Sequence, residues 1–437
     1  MRAISGWGRY PVVLADERVD EDLARITLGA SLTRGLGRSY GDASLPAVAG
    51  AVVAGSRLAD RIIEFDRRRG LLRAEAGLSL SRLHRVAWPV GWSSPVIPGT
   101  QFVSLGGMVA ADVHGKNHHV RGSFGNHVRA LRMRLADGRI VEIDEGSEPE
   151  LFRATLGGMG LTGHLLEVEL ALEPIPSPWI HQQKERFADL DSLLVGLGRA
   201  GDAWPFTVAW ADCLARGSSM GGGILIKGRW ARKDEAPRAI PGAGPRVELP
   251  FDLPSWVLAE PAVRLFNTAY LHWLGMRHAG DVVDPVGFFH PLDAVTGWNR
   301  LYGRHGFIQY QCVVADRAAV HRLFDVLARR AAPVFLAVIK DFGPTSRGMI
   351  SFPMPGLTVS LDLPFRGDAT QKLVDELNEV VVDGEGRVYL AKDALTRDEH
   401  FRAMEPRLAR WTAVRRAWDP ARRIKTALSA RLLGDAC

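Results

Sequence analysis

Short runs in which apolar residues recur every second position dominate the first 175 or so residues, and this period predicts strands. AVVAG (51–55), RIIEFD (61–66) and LLRAEAG (71–77) read this way. In LRMRLADGRIVEID (131–144), Asp137-Gly138 separates two alternating runs, which predicts a hairpin. Two stretches take the helical period: LSLSRLHRVAWP (78–89), and SEPELFRATLGG (147–158) with Ser147 at the N-cap. Pro174, Pro176 and Pro178 then form a linker-like break.

Beyond this break the pattern changes. Helical runs at 189–200 and 317–331 separate the strand-like FTVAWADC (206–213), GILIKGRW (223–230), GFIQYQCVV (306–314), FLAVIKDF (335–342) and LTVSLDLPF (357–365). Helices among antiparallel-looking strands predict an α+β domain. Lys233 to Val247 is rich in Pro and Gly and reads as a mobile loop. RVYLAKD (387–393) predicts a strand, followed by a long basic helical region from about Arg397.

Length and charge narrow the picture. A chain of 437 residues exceeds one comfortable core, so two or three domains are expected. The net charge of +6 is spread along the chain, with no basic block interleaved with aromatics, which argues against a nucleic-acid groove. Cys213, Cys312 and Cys437 lie far apart, in neither a metal nor a disulfide spacing, as expected of a reducing compartment. The N-terminus lacks the apolar core of a secretory signal. Trp256 to Met276 is strongly apolar but carries Glu260, Arg264 and His272; it reads as an interfacial helix, a core helix or a lid rather than a membrane span.

The chemistry concentrates in glycine clusters. PGTQFVSLGGMVAADVHGKNHHVRGSFGNHV (98–128) holds four histidines and one lysine among its glycines. Glycine lets backbone approach a ligand closely, and successive bare N–H groups can face an anion. The segment reads as main chain around a large phosphorylated cofactor, with His114 and Lys116 at the reactive edge. RGLGRSYGDASL (34–45) begins like a dinucleotide fingerprint, but Tyr40 stands where the third glycine belongs, so a Rossmann reading fails. A different pyrophosphate loop remains, with Arg38 and Ser39 adding charge and a hydroxyl. His114 and His118 have a metal-clamp spacing, yet Gly115, Lys116 and Asn117 lie between them without a glutamate; no metal is expected. LGGMGLTG (156–163) is a further close-approach segment.

In this order the segments resemble the flavin-binding domain of the vanillyl-alcohol oxidase superfamily. HGKNHH, GSFGNHV, FIQYQ, IKDFG and YLAKD together resemble the decaprenylphosphoryl-β-D-ribose 2′-oxidase family over most of the chain, with residues 230–280 contributing little. The resemblance implies an α+β fold: a two-subdomain (PCMH-type) FAD-binding domain at 1–177, a substrate domain with an antiparallel sheet at 178–385, and a return to the FAD domain at 386–437. It implies that FAD is held by Arg34, Gly35, Leu36, Gly37, Arg38, Ser39, Tyr40, Gly41, Asp42 and Ala43. Gly99, Ser104, Leu105, Gly106 and Gly107 join them, with His114, Gly115, Lys116, Asn117 and Tyr389. Arg38 occupies the place of the histidine that tethers flavin in many superfamily members, so FAD is expected to be non-covalent.

Lys392 matches the family's essential lysine. Oxidising a secondary alcohol requires a proton to leave oxygen as hydride leaves carbon, and a lysine can hold the alkoxide or act as base. His114 is expected to share this work. Lys116, Gln309, Tyr310, Gln311, Lys340, Thr358 and Ser360 match sugar-phosphate positions, although a core role for Tyr310 is nearly as good a reading. Ser360 and Thr358 stand where mycobacterial members carry a cysteine and an asparagine.

The implied reaction is oxidation of the ribose C2′ hydroxyl of a polyprenyl-phosphoryl ribofuranose. It is the first half of an epimerisation to the arabinofuranose of cell-envelope polysaccharides, completed by a separate NAD(P)H-dependent short-chain reductase. The expected location is cytoplasmic or peripheral to the inner membrane. A soluble alditol, aldonolactone, sugar or nucleoside oxidase and a non-catalytic flavin-binding partner remain as alternatives.

Overall fold

The computed structural model describes the chain except residues 216, 218, 219, 243–246, 276–279, 336 and 437. Cys437, Met276, and part of the Lys233–Val247 stretch therefore lie outside the described residues. The fold is α+β, as the sequence predicts, and the described residues form three larger sheets.

The first sheet runs Arg2–Ser5, Val12–Val19, Val52–Gly55, Leu32–Arg34, with the last two strand pairings parallel. The chain leaves it at Arg34 directly into the first glycine cluster. The second sheet is antiparallel, in the order Ile62–Asp66, Leu71–Glu75, His164–Ala171, Val128–Arg134, Ile140–Asp144. Its last two strands are the predicted hairpin; Leu135 N–H donates to Arg139 O at 2.8 Å around Gly138.

The third sheet is antiparallel throughout. Its order is Asp281–Val283, Ile180–Phe187, Gly223–Trp230, Phe206–Ala211, Ala337–Phe342, Gly356–Pro364, Phe307–Val314, Arg387–Val388. Helices Leu190–Ala203, Arg317–Arg329 and Asp368–Asp383 pack against it through Leu193, Leu197, Leu323, Phe324, Leu377 and Val381, all essentially buried. Their amphipathic faces supply the apolar stripe that a half-covered sheet requires.

The C-terminal segment returns to the first region. Ala427 N–H donates to Leu45 O at 2.9 Å, Lys425 N–H to Ser31 O at 3.0 Å, and the buried Trp411 indole to Ala154 O at 2.9 Å.

Three local expectations are corrected. Ser147 does not cap a helix: its hydroxyl accepts from Asp144 N–H at 3.0 Å, while the helix Pro149–Thr155 begins after Glu148. RVYLAKD is strand only at Arg387–Val388 and then turns, Lys392 N–H donating to Tyr389 O at 2.8 Å. The basic C-terminal region is three helices, Asp398–Met404, Leu408–Trp418 and Ala427–Leu433, because Pro406 and Pro420 interrupt the period. Trp256–Met276 falls largely on the helix Glu260–Gly275, where Arg264 pairs with Glu260 at 2.7 Å. No helix among the described residues is long and apolar enough to cross a membrane.

Candidate functional site

A cavity of about 300 Å³ opens where the glycine clusters meet the third sheet. One wall is loop: Gly35 to Tyr40, Ala43, Ile97 to Thr100, Ser104, Gly106, Gly107 and Met159 to Gly160. The other is strand: Val208, Trp210, Gln309, Gln311, Val338, Lys340 and Ser360. His114, Lys116, Tyr389, Ala391 and Lys392 close it.

The loop wall recognises with backbone. The N–H groups of Leu36, Gly37, Arg38 and Ser39 find no acceptor among the described residues. Gly37 has φ +65°, the left-handed turn that glycine permits and that anion-binding loops of successive N–H groups use. Arg38 lies 4.0 Å from the Trp7 ring centroid, its Nε buried and unpartnered. On the opposite loop, Ser104 Oγ accepts from Gly107 N–H at 3.3 Å and caps the helix Leu105–Ala110, which begins at the cavity edge. Free amide donors, an unpartnered guanidinium nitrogen and a glycine-lined cavity fit the pyrophosphate and ring system of FAD.

The strand wall recognises with side chains. Alternation along Phe307–Val314 turns Gln309 and Gln311 into the cavity. Gln311 Nε2 donates to Thr358 Oγ1 at 3.0 Å, and Thr358 in turn donates to Cys312 O at 2.8 Å. The second proton of the Gln311 amide meets His114 Nε2 at 2.9 Å. His114 Nε2 is therefore an acceptor, and the ring carries its proton on Nδ1, which is buried and unpartnered. Burial first, and then the charges of Lys340, His118 and Lys392, hold the His114 pKa well below the ordinary imidazole range. His114 is a neutral donor.

Lys392 is delivered by the turn at 389–392. Its ammonium group donates to Gln309 Oε1 and sits 3.8 Å from the centroid of the Tyr40 ring. Burial lowers its pKa to about 7, Asp362 opposes that shift and Lys340 adds to it. Burial likewise brings Lys340 to about 8. Lys116, also lowered to about 7 by burial, is tied to Phe288 O at 2.6 Å and Phe289 O at 3.2 Å. Tyr40 is pushed well above the usual phenol range and stays protonated.

Several expected site residues stand behind the walls. Tyr310 points to the other face of its strand and donates to Asn378 at 3.0 Å, which makes it a core residue. Asp42 accepts from Arg431 at 2.8 Å and pins the loop to the last helix. Arg34 reaches back to Ser5 O at 2.6 Å and Ser44 Oγ at 2.9 Å. Asn117 donates to Pro95 O at 2.7 Å. Leu105 is core, Gly115 packs on Ile97, and Thr358 acts through Gln311. Gly41 packs flat on the chain at Asp393.

The sequence reading missed Asp293, which lines the cavity and accepts from Thr100 Oγ1 at 2.8 Å and Gln101 N–H at 2.9 Å. It also missed Asp362, bonded to Gln309, and Trp7 and Trp298 at the rim. Among the described residues no cluster holds a metal, and the HGKNHH histidines go elsewhere: His118 Nδ1 accepts from Gly343 N–H at 3.1 Å and His119 Nε2 contacts Trp204 O at 3.0 Å.

The FAD binding domain family matches residues 24–144, which span both glycine loops and HGKNHH. The decaprenylphosphoryl-β-D-ribose oxidase of Mycolicibacterium smegmatis is 33% identical over 96% of this chain and 95% of its own. An uncharacterized protein of Streptomyces coelicolor is 34% identical over 81% of this chain and its full length. A D-lactate dehydrogenase of Archaeoglobus fulgidus is 27% identical over 32% of each chain. With this likeness running the length of both proteins, and with a cavity built for FAD, the chain belongs to the decaprenylphosphoryl-β-D-ribose oxidase family of FAD-dependent oxidoreductases.

Proposed function

We propose that the chain oxidises the C2′ hydroxyl of a polyprenyl-phosphoryl-β-D-ribofuranose to the 2′-keto sugar. The observation that carries this reading is Lys392, an amine with a pKa of about 7, held at the seam between the flavin loops and the strand wall. FAD, when bound, supplies the hydride acceptor and is held without a covalent bond, Arg38 standing where a tethering histidine would be. Lys392 takes the hydroxyl proton onto its Nζ. His114, neutral, lines the sugar pocket, and Gln311 holds its ring through Nε2. Gln309 and Ser360 orient the sugar, and the Lys340 ammonium receives the phosphate as a point charge.

On this reading residues 1–177 and 386–437 form the cofactor side and 178–385 the substrate side. A separate NAD(P)H-dependent reductase then reduces the keto sugar to the arabinofuranose. Peripheral membrane contact belongs to the same proposal, because Leu265 and Phe266 on the helix Glu260–Gly275 are 71% and 49% exposed.

The test mixes the protein anaerobically with a polyprenyl-phosphoryl ribose in liposomes and follows flavin absorbance and flotation. The wild type bleaches and floats. Lys392→Ala floats but bleaches at least ~10²-fold more slowly, the usual scale for losing a proton-transfer group. Bleaching that is unchanged in Lys392→Ala refutes the role of the lysine; bleaching with free alditols, but not with the lipid, refutes the substrate.

A further inference from the structure

Gln309 and Asp362 are cross-strand partners in the antiparallel ladder between Phe307–Val314 and Gly356–Pro364. Gln309 Nε2 donates to Asp362 Oδ1 at 2.6 Å. Burial raises the Asp362 pKa, and the hydrogen bond from Gln309, the Lys392 charge and the hydrogen bond from Tyr302 oppose that rise; as a carboxylate it offers only acceptors, so the amide meets it through its NH₂ group. That fixes the opposite end: Gln309 Oε1 turns to the cavity, where it accepts from Lys392 Nζ. The row Asp362, Gln309, Lys392 thus leads from a carboxylate behind the wall to the amine at the reaction centre.

We propose that Asp362 is the positioning residue of this site: through Gln309 it aims the Lys392 amine, and through its negative charge it sets the pH at which that amine gives up its proton. The inference rests on the role of Lys392 proposed above.

The surroundings leave Asp362 as the anion that does this. Lys340, from the neighbouring strand, is a like charge that favours the neutral amine. His114 is neutral. Tyr40 presents a protonated phenol beside Lys392, and Tyr302 hydrogen-bonds Asp362 as a second protonated phenol. Asp393, next in sequence to Lys392, is engaged by Arg431 at 2.9 Å. Without Asp362, burial and Lys340 would both act to strip the proton, and among the described residues no other charge opposes them. Without the Gln309 link, Lys392 would hold only the Tyr40 ring.

The test uses FAD-loaded protein and two readouts. The first is the pH dependence of flavin reduction by the lipid-linked ribose. The second is the pH midpoint at which acetic anhydride labels Lys392, read by peptide mass spectrometry without turnover. Asp362→Asn keeps an acceptor for Gln309 but removes the charge. The ammonium is then less stabilised, and both midpoints move to lower pH by about one unit, the scale of losing one nearby opposite charge. Asp362→Glu restores the charge and returns the midpoints toward wild type.

Midpoints that stay in place in Asp362→Asn overturn the proposal. Should Asp362→Asn not fold, Gln309→Met carries the test: reduction slows by about ten-fold, the loss of one charged hydrogen bond, with the labelling midpoint near its wild-type place. A Gln309→Met protein with wild-type reduction overturns the aiming role. A wild type whose flavin the substrate does not reduce, but whose labelling midpoint moves in Asp362→Asn, refutes the assigned reaction and leaves Asp362 in its place.

Discussion

The two walls of the cavity are built in opposite ways. The loop wall offers main-chain N–H groups from Leu36 to Ser39, and its side chains Arg34 and Asp42 turn backwards to hold the loop in shape. The strand wall offers side chains, Gln309 and Gln311 on one strand and Ser360 on the next, and the two glutamines are aimed by cross-strand bonds to Asp362 and Thr358. A wall of backbone holds one large constant ligand and is spoiled by adding atoms. A wall of side chains carries out proton chemistry and is spoiled by taking atoms away.

Adding atoms to the loop wall has the largest effect. A Cβ at Gly41 would lie 1.8 Å from Asp393 O and 2.6 Å from its carbonyl carbon, both backbone atoms that cannot swing aside. Gly41→Ala is expected to cost about 3 kcal/mol or more, the range of severe core disruption, and to yield protein without flavin. Urea unfolding and the flavin-to-protein absorbance ratio measure both. A stable yellow Gly41→Ala protein would break the comparison.

Removing atoms from the strand wall is milder and leaves the flavin alone. Gln311→Leu keeps the bulk of the side chain but frees His114 to take either tautomer. The expected result is full flavin content with reduction slowed by about ten-fold, the scale of one hydrogen bond in a dry site. Loss of flavin in Gln311→Leu would mean that the strand wall also carries cofactor binding.

What could be read in the sequence divides along the same line. The hairpin at Asp137-Gly138 was legible because its turn chemistry is local. The cofactor loops were legible because bare backbone leaves a mark in composition, glycine after glycine. Lys392 was legible by family likeness, but its setting was not: RVYLAKD has strand-forming residues, yet after Tyr389, whose N–H still donates to Gln311 O at 2.8 Å, the chain turns, Lys392 N–H donating to Tyr389 O at 2.8 Å and Ala391 O accepting from Tyr40 N–H at 2.9 Å. Tyr310 sat inside a motif and was drawn into the site with its neighbours, although the period of two places it on the core face. Asp362 and Asp293 left no signal because each acts through a partner brought near by the fold, 53 residues away for Gln309 and 193 for Thr100.

The loop wall is proposed to hold FAD by non-covalent contacts alone. The visible absorbance spectrum of the purified protein, taken before and after acid precipitation, tests this most directly. The prediction is a yellow protein whose flavin passes entirely into the acid supernatant. A colourless preparation that takes up no added FAD, or flavin that stays with the pellet, would contradict it.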